Sequence, residues 1–435
     1  MDILSEYMRQ NPGSKAAFER ARRCLPGGST RSALYWPPFP LCLASGKGAR
    51  VWDVDGNERI DFNFNNTTLI MGHNHPKVVA AAQEQLEKGT VLGAPTEVEP
   101  KLAEELIRRL EGVERVRFTP SGTEANMQAL RVARAHTGKE KIVMCVGAYH
   151  GSWDAVSVAG GVDVPQGVAE NTLLTPYNDA QAAEDLVKKH RDKIAAVIIE
   201  PTQRDMTPRP EFLKSLREVT ERYGVLLIFD EVISFRLSPG GAQRLYGVFP
   251  EVTTMGKIIG GGFPVGAYAS TEEVMEPLDI PEADFPDIRR PRLGFSGTFN
   301  AHPVSMAAGL AVMKEMKLPV YEHMAELGAR MREGLEAILD DAGIKAHVGG
   351  IGSFFHVIWT DREVFNHETA ATGDPILARY FSLGMLNNGS YVLGHPNVSA
   401  VTTEKDVDTA LEAAKTTVDD MKPVIKEKAP HLLTV

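Results

Sequence analysis

The sequence is short of the features that would place it at a glance. Only three cysteines occur, Cys24, Cys42 and Cys145, widely spaced and with no CxxC pair. A disulfide scaffold and a zinc ribbon are therefore set aside, no metal site is expected, and a reducing, cytoplasmic compartment is. There is no basic excess: 47 Lys and Arg stand against 57 Asp and Glu, a formal charge of −10, so no nucleic-acid partner is expected. The longest apolar runs, such as residues 225–229, fall far short of the ~20 residues of a membrane span. The opening Met1-Asp2-Ile3-Leu4-Ser5-Glu6 has neither the basic nor the apolar region of a secretory leader, so none is expected. No repeat of 20–50 residues is visible, which sets solenoids aside.

What is present is an ordinary globular composition over 435 residues, enough for two or three structural units and a core without staples. A helix over 14–24 is stopped by Pro26-Gly27-Gly28. Residues 50–64 alternate apolar and polar around Asp55-Gly56, a hairpin signal. The pair Asp53 and Asp55 could suggest calcium, but an EF-hand loop needs Gly and Glu where Glu58 and Phe64 stand, so the turn reading wins. From about 70 to 300 helix and strand alternate: strands at 115–119, 141–146, 194–199 and 225–229, helices at 102–110, 124–136 and 211–223. Near-continuous apolar strands suit the centre of a sheet covered on both faces, and the alternation implies a largely parallel sheet. After about 310 the pattern becomes α+β, with helices at 324–339, 376–387 and 404–421 and a strand at 353–359. The expected organisation is an N-terminal segment, 1–65, packing with a small C-terminal domain, 311–435, and a large α/β domain at 66–310. Residues 279–292 read as a loop over a site or at an interface.

Four segments carry candidate chemistry. Thr119-Pro120-Ser121-Gly122-Thr123-Glu124 joins a strand to a helix, where backbone N–H groups can bind an anion; taken alone, such a segment is usually just a helix cap. Ile228-Phe229-Asp230-Glu231-Val232 ends an apolar strand in two carboxylates, at the sheet edge where ligands bind in open α/β folds. A solvated strand end is the plain alternative, but a buried Asp would need a cation or a protonated ring nitrogen as partner. Thr254-Met255-Gly256-Lys257-Ile258-Ile259-Gly260-Gly261-Gly262 sets a lysine among apolar residues and glycines. Most lysines are surface charges, whereas partial burial lowers the amine's pKa and suits it to a Schiff base. Gly147-Ala148-Tyr149-His150-Gly151 puts two flat rings after a strand, for core packing or for a cofactor face. His73-x-His75 is isolated and reads as a turn. One chemistry uses all four segments, that of pyridoxal phosphate: its phosphate needs a helix N-terminus, its aldehyde a lysine, its ring nitrogen a carboxylate and its face something flat.

At these residues the sequence resembles the class III aminotransferases of pyridoxal-phosphate fold type I. The stretches that carry the resemblance are Ser121-Gly122-Thr123-Glu124-Ala125-Asn126, Phe229-Asp230-Glu231-Val232, residues 253–266, and Ser296-Gly297-Thr298-Phe299-Asn300 with Met306-Ala307-Ala308-Gly309, in family order and spacing. The resemblance implies a large domain with a mostly parallel sheet flanked by helices plus a smaller α+β domain, and pyridoxal 5'-phosphate as cofactor. It implies Lys257 as the Schiff-base lysine and Asp230 as the ring-nitrogen partner. Ser121, Gly122 and Thr123 would form the phosphate cup, with Tyr149 the stacking aromatic and His150 beside it. Glu200 and Gln203 would lie on the O3' side. Thr298 would reach the phosphate of a neighbouring subunit, which implies a homodimer with shared active sites.

Within the class, the nearest patterns are glutamate-1-semialdehyde aminomutases and β-amino-acid aminotransferases. Aminomutases carry Asn-Ser-Pro-Val-Arg after the Pro-Gly-Gly. This chain has Ser29-Thr30-Arg31-Ser32-Ala33-Leu34, more like the β-amino-acid enzymes, so Arg31 is the expected substrate-carboxylate residue. Tyr391-Val392-Leu393-Gly394-His395-Pro396 lacks both the arginine of those enzymes and the glutamate of the aminomutases; Arg204 or His395 are the substitutes on offer. The expected reaction is amino transfer between a β- or aryl amino acid and a 2-oxo acid, with the aminomutase as alternative. A nicotinamide dehydrogenase would need G-x-G-x-x-G near 115–124, which is missing there. A non-catalytic binder would be expected to lack the lysine or the aspartate.

Overall fold

The two continuous apolar stretches, 194–199 and 225–229, lie side by side in the middle of the principal sheet. The computed structural model describes residues 2–158, 164–203, 206–283 and 286–434. In chain order its strands are β1 (Leu43–Lys47), β2 (Arg50–Asp53), β3 (Glu58–Asp61), β4 (Arg115–Thr119), β5 (Lys141–Cys145), β6 (Thr172–Thr175), β7 (Ile194–Ile199), β8 (Leu226–Asp230), β9 (Val252–Gly256), β10 (Gly266–Ser270), β11 (His347–Gly349), β12 (His356–Ile358) and β13 (Ser390–Tyr391). They fall into two units: Pro76–Tyr321 with Phe365–His367, and Met1–His75 with Glu322–Val364 and Glu368–Val435. The boundaries expected at 65/66 and 310/311 thus lie at 75/76 and 321/322. The helix Pro303–Glu315 goes with the larger unit because Val304, Met306, Ala308, Val312 and Met313 are buried there.

The larger unit is built on a seven-stranded sheet in the order β4-β10-β9-β8-β7-β5-β6. β5, β6, β7, β8 and β9 pair in parallel, and β10 runs antiparallel to both β4 and β9. All six residues of β7 are buried, as a central strand between helical layers requires. The helix Gly122–Thr137 turns Ala129, Leu130, Val132 and Ala133 into a core shared with Ile142, Met144, Ala196, Ile198, Ile228 and Tyr268. Each large apolar side chain buried there contributes about 1.5–3 kcal/mol. Ser121 caps that helix and Gly138, at φ 67°, ends it.

This strand order brings the ends of β4, β5, β7, β8 and β9 to one edge of the sheet. Thr119, Cys145, Ile199, Asp230 and Gly256 lie there, and β10 starts beside them, with Gly266 paired to both Thr119 and Gly256. Such carboxyl edges are where open α/β sheets bind ligands.

The smaller unit has a four-stranded sheet, β1-β2-β3-β13, and the hairpin β11/β12, with helices Pro375–Asn387 and Glu404–Lys428. The Asp55-Gly56 turn joins β2 to β3 as the alternation predicts. Asp53 Oδ1 accepts the N–H groups of Asp55 and Asn57, and Asp55 accepts those of Gly13 and Ser14 at the start of the helix Pro12–Ala21. Both aspartates are therefore occupied as turn and helix-start acceptors. Buried Arg59 pairs with Asp53 and donates to Leu386 O at 3.0 Å. Between Leu278 and Pro303 the described residues form no helix or strand, as the loop expectation has it. No helix among the described residues is long and apolar enough to cross a membrane, and among those residues no cluster of three or more His, Cys, Asp and Glu could hold a metal ion.

Candidate active site

Asp230 is the last residue of β8 and is 4% exposed. Its Oδ1 accepts the Val232 N–H at 3.0 Å. Its Oδ2 accepts from Asn126 Nδ2 at 2.7 Å and lies 2.8 Å from His150 Nδ1. A carboxylate only accepts, so the His150 proton sits on Nδ1. Asn126 is itself pinned: Oδ1 accepts the Thr254 hydroxyl at 2.5 Å and Nδ2 also reaches His150 O at 3.1 Å. One helix, two neighbouring strands and the segment after β5 therefore hold a single buried carboxylate through charge-assisted bonds that offset its desolvation.

Lys257 follows Gly256, the end of β9, which pairs with β8. It is half-buried and has φ +49°. A non-glycine residue in the left-handed region costs about 1–2 kcal/mol, and such strain persists where surroundings over-determine it, often at functional sites. The 3-10 turn Lys257–Gly260 leads the chain away and Gly261 closes it.

The turn after β4 forms a helix N-terminus. Ser121 Oγ accepts the Glu124 N–H at 3.2 Å, while the first N–H groups of the helix, at Gly122 and Thr123, have no acceptor within it and carry the positive end of its dipole. The neighbouring strand reaches this turn only because residue 266 is glycine: a Cβ there would lie 2.1 Å from Ser121 O. Gly151, at φ +112°, likewise lets the Tyr149-His150 segment press on Thr123, whose Cα would be 2.8 Å from an added Cβ.

The Tyr149 ring is 56% exposed, its hydroxyl 3.2 Å from Ser152 Oγ, and its N–H donates to Glu200 Oε2 at 3.1 Å. Glu200 and Gln203, both buried, follow β7, and Gln203 Nε2 donates to Val146 O at 2.8 Å. Glu231, next to Asp230, faces elsewhere: it accepts from Ser234 Oγ and from the N–H groups of Ala242 and Gln243, and burial pushes its pKa up. Burial, with the Glu200 carboxylate nearby, pushes the Cys145 thiol up as well, which leaves it a poor nucleophile.

Of the residues singled out in the sequence, Ser121, Gly122, Thr123, Tyr149, His150, Glu200, Gln203, Asp230 and Lys257 all follow or end strands at this edge. Thr298 follows no strand of this sheet edge; it lies exposed in a turn next to Phe299, which is 57% exposed. Arg31 belongs to the other unit, where it lines a cavity of about 330 Å³ with Phe18, Leu34, Trp36, Asn65 and Tyr391. His395 is half-buried in that unit, after Gly394 at φ +65°; Arg204 lies outside the described residues. Sequence reasoning missed Asn126 and Thr254 as partners of Asp230. A signal existed: Asn126 is a polar amide on the inward face that also carries Ala129, Leu130 and Ala133, and a buried amide must be paired.

The clamped aspartate, the strained lysine and the open helix N-terminus all lie at the carboxyl edge of the sheet, where open α/β folds bind ligands, and the architecture is that of the pyridoxal-phosphate-dependent transferases of fold type I. The model of the family described as aminotransferase class-III matches residues 33–405, and the chain belongs to that family. It is 39% identical over 429 residues to a glutamate-1-semialdehyde 2,1-aminomutase of Desulfitobacterium hafniense, covering 93% of this chain and 98% of the relative. Among solved structures it is similar to an omega-transaminase from Sphaerobacter thermophilus, with 38% identity, a TM-score of 0.88, and 95% and 99% of the two chains covered. It is similar also to a β-phenylalanine aminotransferase from Variovorax paradoxus, with 33% identity, a TM-score of 0.88, and 97% and 98% covered.

The cofactor is pyridoxal 5'-phosphate, and the residues present fit it. A buried carboxylate stands ready for a protonated ring nitrogen and an open helix N-terminus for a phosphate. Among the described residues two buried polar atoms at the same edge, His150 Nε2 and Gln203 Oε1, have no hydrogen-bond partner, as in a site shaped to take a polar group.

Proposed function

We propose that this enzyme is an intermolecular aminotransferase taking an amino group from a carboxylate-bearing β- or aryl amino acid and passing it to a 2-oxo acid such as 2-oxoglutarate or pyruvate. When bound, the cofactor supplies an electron sink for the carbon that loses its proton. The chain's residues do the rest. Lys257 holds the cofactor covalently, and its amine, once freed, takes the proton from the amine-bearing carbon and returns it nearby. Asp230 keeps the ring nitrogen protonated, with Asn126 and His150 fixing the carboxylate. Ser121, Gly122 and Thr123 hold the phosphate with backbone N–H groups and hydroxyls. Tyr149 offers its ring as a stacking face, and Glu200 and Gln203 border the O3' side. Thr298, exposed in its own chain, serves the phosphate of a second copy, making a homodimer with shared sites. The partners are then small molecules alone, an amino donor and a 2-oxo acid acceptor.

The observation that carries the substrate class is the Arg31 cavity. A guanidinium suited to bidentate carboxylate binding shares one cavity with Phe18, Leu34 and Trp36, so acid and apolar group are accommodated together. A second reading is supported by the 39% identity to enzymes named glutamate-1-semialdehyde 2,1-aminomutase. A donor and acceptor panel separates the two. Transfer from an aryl β-amino acid to 2-oxoglutarate or pyruvate is expected. Conversion of glutamate-1-semialdehyde to 5-aminolevulinate without a second substrate would establish the aminomutase instead.

A further inference from the structure

Four consecutive residues with no glycine among them, Phe64, Asn65, Asn66 and Thr67, have φ of 45°, 52°, 51° and 75°. The left-handed region is disfavoured for every L-residue, least so for asparagine, and a run of four persists only where the surroundings force it. Here they do. Asp61 Oδ1 accepts the N–H groups of Asn63 at 2.7 Å and Phe64 at 2.9 Å. Asn63 Oδ1 accepts the Asn66 N–H at 2.9 Å, and its Nδ2 donates to Leu393 O at 2.7 Å. The N–H of Thr67 donates to Asn63 O and that of Leu69 to Phe64 O, both at 3.0 Å. The other oxygen of Asp61 lies 2.7 Å from His73 Nε2. Phe64 is buried and anchors the turn in the core, while Asn65 is exposed on it.

That exposed, strained residue makes one contact of consequence. Its Oδ1 accepts from Arg31 Nη1 at 2.6 Å, and both side chains line the same cavity. The chemistry of the acceptor matters. An amide oxygen fixes one guanidinium N–H and leaves the positive charge uncancelled, with four further donors for a ligand. A carboxylate in the same place would form an ion pair and compete with an incoming acid. A shorter or apolar residue would leave the guanidinium free to swing into solvent.

We propose that Asn65, held in this left-handed turn, is a specificity-determining positioning residue that sets the Arg31 guanidinium to receive the carboxylate of an amphipathic monocarboxylate substrate. The inference rests on the reading of Arg31 as the carboxylate-binding residue.

The test compares Asn65→Gly, Asn65→Asp, Arg31→Ala and the double variant Asn65→Gly/Arg31→Ala in the holoenzyme. Glycine accepts the φ of +52° without penalty, so Asn65→Gly keeps or raises Tm while removing the amide. For 3-amino-3-phenylpropanoate its KM should rise about tenfold, the scale of one charge-assisted hydrogen bond, with kcat little changed. For 1-phenylethylamine, which has no carboxylate, KM should stay put. Asn65→Asp should raise the carboxylate KM at least as far. The double variant should match Arg31→Ala alone, because a residue acting through Arg31 adds nothing once the arginine is gone. Equal KM changes for both amines, or additive losses in the double variant, would overturn the proposal. If Arg31→Ala leaves the carboxylate preference intact, the reading of Arg31 fails and this inference with it. If Arg31→Ala abolishes the preference and Asn65→Gly leaves it whole, only the role of Asn65 fails.

Discussion

Replacing Asp230 by asparagine changes one atom and exposes what the clamp is for. Donors surround both oxygens: Val232 N–H at 3.0 Å on Oδ1, Asn126 Nδ2 at 2.7 Å and His150 Nδ1 at 2.8 Å on Oδ2. An asparagine has one accepting end. Two donors converge on the Oδ2 position, so the amide oxygen goes there and the NH2 faces the Val232 N–H, donor against donor. One buried N–H left unsatisfied costs about 1–3 kcal/mol. For a unit of this size that is a Tm loss of roughly 2–12 °C at about 2–4 °C per kcal/mol. The fold survives, because the remaining bonds around Asn126 and Thr254 stay in place. The chemistry suffers more. A neutral amide cannot hold a ring nitrogen protonated by ion pairing, and losing about 3–5 kcal/mol of that stabilisation slows proton abstraction by roughly 10²–10⁴. The assay is threefold on one preparation: cofactor content by absorbance, Tm with cofactor bound, and the half-reaction rate with an amino donor in stopped flow. A loaded, folded Asp230→Asn enzyme turning over within twofold of wild type would refute the assignment.

Asn126→Ala deletes a donor to Asp230, a donor to His150 O and the acceptor of Thr254; it should cost about 3 kcal/mol and lower cofactor affinity, read by thermal unfolding and cofactor titration. Gly266→Ala drives a Cβ to 2.1 Å from Ser121 O, backbone that cannot step aside. About 1–3 kcal/mol of strain follows, with weakened retention of phosphate-bearing cofactor on dialysis; unchanged retention and Tm would contradict the close approach. Burial alone would raise the Asp53 pKa, but its hydrogen bonds from Asn57 and Arg59 outweigh this and hold it below its ordinary 3.8. A carboxyl depressed in the folded state stabilises fully above its unfolded value and loses that contribution as pH falls through the folded one. The Tm gap between wild type and Asp53→Asn should therefore be wide at pH 7 and close as the pH falls below about 4; a gap that widens on acidification would reverse the sign.

The parts of the fold legible in the sequence are those whose residues are dictated by their immediate surroundings. Residues 194–199 read as a central strand because β7 is buried at every position, and 225–229 became β8 with both ends moved by one residue. Gly122–Thr137 was legible from its Ser cap and terminal Gly138. β10, Gly-Ala-Tyr-Ala-Ser, carries no such signal. Its opening glycine is there because the strand abuts Ser121 O, a tertiary constraint that no local pattern announces. β6 is a four-residue edge strand with two threonines and was missed for want of length. The expected strand at 353–359 shrank to β12, His356–Ile358. The hairpin reading of 50–64 ran through Phe64, where the chain instead enters a left-handed turn held by Asp61 and Asn63; those acceptors act across space, and the run Asn65-Asn66 hints at positive φ only weakly. In the site, Asp230 and Lys257 announce themselves as charges beside apolar runs. Asn126 does not, because its meaning depends on which carboxylate the sheet order brings to it.

The central claim is that Lys257, strained at the end of β9, carries the cofactor. Borohydride reduction of the holoenzyme fixes the pyridoxyl group on the lysine that holds it, and peptide mapping by mass spectrometry reads the position. The account predicts a single labelled peptide with the modification on Lys257, and its loss in Lys257→Ala. A pyridoxyl group mapped to any other lysine of the wild-type chain would contradict it.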